Sequence, residues 1–182
     1  MAADIKQAEQ ATYDAVQGYA TLVAGKPKGY QLTPAEEAKR AGLVATAAKH
    51  IEAAKQAAEA SGDKVAQAKV WAVVLELSRF DALTAPTLQK AKAAAYAVTD
   101  ALDELELSGL APSVPFALYR ERAAFVINSS AHKGGQQTWA DAIGCGAESL
   151  WSPCATAGGG HSWGLLLLVG FGLFLLVGRK KR

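Results

Sequence analysis

The sequence predicts an all-α protein: an alanine-rich bundle of four or five helices followed by a C-terminal transmembrane helix. Three observations carry this expectation. Apolar residues recur at helical spacing through residues 1–130, and no segment alternates at period two over a strand's length. Alanine, the strongest helix former, supplies 39 of the 182 residues, while Phe, Tyr and Trp together supply 14. The large aliphatic side chains crowd instead into the last 20 positions.

Residues 2–24 form the first expected helix, with Ile5, Tyr13, Val16, Tyr19 and Val23 on one face and Gly25 as its stop. A loop containing Pro27 and Gly29 follows. Thr33-Pro34-Ala35-Glu36 is a helix start: Thr33 caps, Pro34 suits the first helical position, and Glu36 completes a capping box. That helix runs to Ala60 or Ser61, with few large apolar residues (Leu43, Val44 and Ile51), so alanine must fill most of its inner face. Gly62 ends it and Asp63 caps the next, residues 64 to about 82, whose stripe is Val70, Val73, Val74, Leu77 and Phe80. A fourth helix spans about 86–109 and offers Leu88, Tyr96, Val98, Leu102 and Leu105 for packing. A fifth, about 114–127, offers Phe116, Leu118, Tyr119, Phe125 and Val126. Each buried alanine removes little apolar surface from water, so the core is thin. Association with a protein partner or with further copies would add burial, and a monomeric bundle whose alanines reflect helix propensity is the alternative.

The bundle (1–130) gives way to a Gly- and Trp-containing linker (131–162). Within it Trp139, Ile143, Leu150 and Trp151 recur at helical spacing, which suits either a short helix on a membrane surface or packing against the bundle. From 149 to 178 there is no Asp, Glu, Lys or Arg. Residues 163–178 are almost wholly apolar: Trp163, Leu165, Leu166, Leu167, Leu168, Val169, Phe171, Leu173, Phe174, Leu175, Leu176 and Val177. As a helix these 16 residues reach about 24 Å, somewhat short of a hydrocarbon core of about 30 Å. Extension upstream through Gly158–Gly160, His161 and Ser162, or local thinning of the bilayer, closes the gap. Arg179, Lys180, Lys181 and Arg182 then form a basic stop (179–182) in the headgroup region, where Trp163 suits the aromatic belt. A buried core helix of this length is the competing reading, but the segment is apolar on every face.

The formal charge of +2 therefore describes no basic protein. Without those four terminal cations the chain holds 15 basic and 17 acidic side chains. Lys39, Arg40, Lys49, Lys55, Lys64 and Lys69 interleave with Glu36, Glu37, Glu52, Glu59 and Asp63, which reads as a solvated surface rather than a phosphate-binding stripe. No specific nucleic-acid binding is expected. Asp100, Asp103, Glu104 and Glu106 read as a solvated helix end rather than paired catalytic carboxylates. Cys145 and Cys154, with His132 and His161, lack zinc-ligand spacing, and whether the two thiols pair depends on the compartment. His50, on a charged helix, is expected to face solvent. No phosphate loop, nucleophile elbow or dinucleotide fingerprint is present, so no catalytic residue, cofactor or metal site is expected.

Gly158-Gly159-Gly160, the apolar run 163–178 and Arg179–Arg182 together resemble the tripartite C-terminal sorting tails of the glycine-glycine type found on bacterial proteins. Cys154, just ahead of the glycines, is similar to the cysteine of myxobacterial tails. The resemblance covers about 25 residues. It implies export, surface attachment and removal of the tail by a rhomboid-like protease.

Residues 1–20 read as a polar amphipathic helix, not a basic-then-apolar leader. That expectation leaves the body in the cytoplasm, whereas the positive-inside tendency favours the reverse, and both orientations stay open. The leading functional expectation is a non-enzymatic, membrane-anchored structural or adaptor protein. Its setting would be a bacterial inner membrane or the membrane of a bacteriophage particle, where it would be a minor virion component. Two alternatives stand beside it: a holin-like or pore-forming lytic effector, and an exported surface protein with a removable tail.

Overall fold

A computed structural model describes residues 1–26, 30–109 and 116–129. These fold into five α-helices, with no strand among the described residues: α1 (Ala2–Val23), α2 (Pro34–Ser61), α3 (Lys64–Thr84), α4 (Leu88–Leu107) and α5 (Phe116–Asn128). The all-α bundle expected of the body is what forms. The expected membrane span, the basic stop and the linker, residues 131–182, lie outside the described residues.

Helix starts follow the side chains that can accept the otherwise orphaned first amides. Thr33 Oγ1 accepts from the Glu36 amide at 3.3 Å, and the Glu36 carboxylate accepts from the Thr33 amide at 2.8 Å, which closes the capping box. Asp63 caps α3 by accepting from the Val65 and Ala66 amides at 2.9 and 3.3 Å. Thr87 caps α4 through the Lys90 amide at 3.3 Å, so α4 begins just after Pro86 rather than at it. Gly62 ends α2 in the left-handed region at φ 66°, a conformation that lets α3 start after a single further residue.

Helix α3 is the centre of the fold. From Val70 to Ala85 every residue is buried or half-buried. One side packs Ala66, Val70, Val73, Leu77 and Phe80 against Ile5, Ala8 and Ala15 of α1 and Ala47, Ile51, Ala54 and Ala58 of α2. The other side packs Ala68, Leu75 and Ala82 against Ala91, Ala94, Ala95, Val98, Ala101, Leu102 and Leu105 of α4 and Tyr119, Ala123 and Val126 of α5. The protein is thus two helical seams sharing one helix. The stripe read from the sequence of α3 is the first of these; the second, spaced at 68, 75 and 82, lines the opposite face.

Two expectations of packing are corrected. Helix α1 buries Ile5, Ala8, Thr12 and Ala15, whereas Tyr13 is exposed and Val16 and Tyr19 sit half-buried at the flank. Alanines take the deepest positions of α1, and at Gly18 the Leu43 side chain of α2 fills the space beside the backbone, so that an added Cβ would stand 2.5 Å from Leu43 Cδ1. At the flank of this seam the half-buried Tyr19 meets the buried Phe80 ring edge-on at 5.6 Å. On α4, Tyr96 is 55% exposed and takes no part in the core. It points away from the face defined by Ala91, Ala94, Ala95, Val98, Ala101, Leu102 and Leu105.

Candidate functional site

The residues that the sequence singles out for function lie outside the described residues. These are Trp139, Ile143, Leu150 and Trp151, the span from Trp163 to Val177, the basic stop, both cysteines and His132 and His161. The described part contributes the charged and exposed groups of the helical body.

The deepest of these is Arg40, which the sequence places among the surface charges and the fold buries at 3% exposure. Its guanidinium reaches across the open end of α2 to the last turn of α3. Nε and Nη2 donate to the two carboxylate oxygens of Glu37 at 2.8 and 2.9 Å. Nη1 donates to Asp81 Oδ1 at 2.7 Å and to Thr84 Oγ1 at 3.0 Å. Thr84 in turn donates to the Phe80 carbonyl at 2.9 Å. Burial disfavours the charge, but the Glu37 and Asp81 carboxylates outweigh it and hold the pKa of Arg40 above its ordinary value. A signal for this was present. Arg40 precedes Ala47, Ile51, Ala54 and Ala58 at spacings of 7, 4, 3 and 4, so helical register alone puts it on the inner face.

Beside this cluster the chain entering α2 is tied down by Glu36. Its carboxylate accepts from the Thr33 amide, from Tyr30 Oη at 2.8 Å and from Thr33 Oγ1 at 2.9 Å. Lys26 stands 3.7 Å away and lies over the Tyr30 ring at 4.6 Å. The Thr33 amide first, then Tyr30 and Thr33 hydroxyls, pull the pKa of Glu36 down to about 2.

At the other end, the acidic stretch of α4 stays exposed as expected, but two of its members hold α5. Arg120 donates to Asp103 at 2.5 Å and to Glu106 at 2.7 Å. Arg79 of α3 lies 4.1 Å above the Tyr119 ring and pairs with Glu76 at 2.8 Å. Burial raises the pKa of Tyr119. Lys55 of α2 covers the Trp71 ring of α3 at 4.1 Å. His50 is half-buried on α2, not fully in solvent. Glu9 on α1 is partly buried, which raises its pKa against the opposing pull of Lys69 and Lys6.

These groups are joined across helix pairs: Arg40 for α2 and α3, Arg79 and Arg120 for the attachment of α5, Lys55 for α2 and α3. Chemically the arrangement fixes helices to one another. Among the described residues no group of three or more His, Cys, Asp or Glu is placed to hold a metal ion, and no helix is long and apolar enough to cross a membrane. The helical body is likewise without a counterpart to lend it a role: no family model matches the chain, and no curated protein or solved structure matches it.

Proposed function

We propose that the chain is a non-enzymatic structural or adaptor protein, anchored to a bilayer by residues 163–178, with the five-helix body as its working surface. One observation carries this reading. Residues 149–178 hold no Asp, Glu, Lys or Arg, their last 16 positions are apolar all round, and Arg179, Lys180, Lys181 and Arg182 follow at once. The body supports it from the other side. Its helices bury their apolar faces against one another, so the apolar tail is not needed to complete either seam. The partners proposed are a lipid bilayer and, through the helical body, a protein or a second copy of the chain. The setting proposed is a bacterial inner membrane or the membrane of a phage particle.

The test replaces Leu168 and Leu173 with arginine in the full chain. Each arginine near the centre of a span costs about 2.5–3.5 kcal/mol of insertion free energy. Membranes are then stripped with alkaline carbonate. The unaltered chain is expected to stay with the pellet and the double variant to be released. Release of the unaltered chain under the same conditions removes the anchor and the proposal with it.

A second reading rests on Gly158-Gly159-Gly160 with Cys154 ahead of it, the features of a removable sorting tail. It expects the mature protein to lose the span by cleavage near those glycines. An intact mass containing residues 163–182, measured on protein taken from membranes, rejects it.

A further inference from the structure

We draw no further inference here: the strongest candidate, the exposed apolar surface at Val65 in the first turn of α3 and Leu107 in the last turn of α4, is an unpartnered face, and nothing in the structure shows what covers it.

Discussion

The two seams on either side of α3 are built from different materials. Among the described residues, five of the six largest fully buried side chains, Leu75, Leu102, Leu105, Val98 and Val126, belong to the seam shared with α4 and α5, and the sixth, Val70, lies in the seam shared with α1 and α2. In the seam with α1 and α2, those two helices supply Ile5 and Ile51 as their large buried aliphatics, and the other buried apolar residues they contribute are alanines. Its buried polar groups tell the complementary story: Thr12, Arg40 and Thr84 all lie on the α1 and α2 side or at its junction with α3. The α5 side is instead tied by Arg120 to carboxylates that remain about half exposed. Leucine and valine side chains interlock and so define how two helices register. Alanine faces interlock weakly, and a directional network such as that of Arg40 defines the register in their place. The seam with α4 and α5 is held by shape and by exposed ties, the seam with α1 and α2 by shape plus buried polar pins.

The largest expected effect tests the first half of that contrast. Leu102→Ala, at a site with no exposure, should lower stability by about 2–5 kcal/mol, because it removes a fully covered side chain and leaves a cavity. Urea unfolding of the full chain measures it, and a loss below about 1 kcal/mol would mean the seam collapses to refill the space. Asp81→Ala comes next. It deprives the buried Arg40 guanidinium of one carboxylate, and hydrogen bonds to charged groups contribute about 1.5–3 kcal/mol each. If the network defines register, this variant should also broaden the NMR resonances of α2 more than Leu102→Ala does; equal broadening would dissolve the distinction between the seams.

A pH titration isolates the entry to α2. Glu36 has a folded pKa of about 2 against an ordinary value of 4.5. A carboxylate with a depressed folded pKa contributes stability that is present above its unfolded pKa and lost as pH falls through the folded one. Stability should therefore drop between about pH 4.5 and 2, and Glu36→Gln should flatten that part of the profile. An unchanged slope in the variant would assign the acid sensitivity to other carboxylates. The smallest effect is expected at Thr12, whose buried hydroxyl has no hydrogen-bond partner among the described residues. Thr12→Val keeps the shape and removes the unsatisfied group, so stability should hold or rise by up to about 1 kcal/mol. A clear loss in thermal melting would show that this hydroxyl is a further pin of the alanine seam.

Much of this architecture is legible residue by residue. Thr33, Pro34 and Glu36 mark the start of α2 because capping is local chemistry, set within four residues and indifferent to the rest of the fold. Gly62 and Asp63 mark the α2–α3 corner for the same reason. The stripe of Val70, Val73, Leu77 and Phe80 is equally plain. What escapes is the choice of face in alanine-rich helices. A search for large apolar residues finds Tyr13 and Tyr96, which are exposed, and passes over Ala8, Ala15 and Ala95, which are buried. Close approach between helices rewards small size, and small residues carry little contrast against a background already rich in them. Arg40 escapes because a charged side chain reads as surface, although its helical register places it on the inner face. None of the functional residues proposed for the tail is tested by the helical body, whose own charged clusters bind helices together.

The placement of α3 also bears on how quickly the chain finds its fold. Among the described helices every major pairing joins neighbours or next-but-one neighbours in sequence: α1 with α2 and α3, α2 with α3, α3 with α4, and α4 with α5. No pairing has to wait for distant parts of the chain to meet, so the loop-closure entropy paid before contacts form is small. Helical proteins with such local topology fold on the order of microseconds to milliseconds, whereas synthesis proceeds at about 5–20 residues per second. As the chain emerges, the first seam is complete once α3 is available and the second once α5 is. Both precede residues 163–178 in the order of synthesis. The body has time to fold before its most apolar segment leaves the ribosome, and so escapes the competition between a thin alanine core and a run of leucines for the same partners.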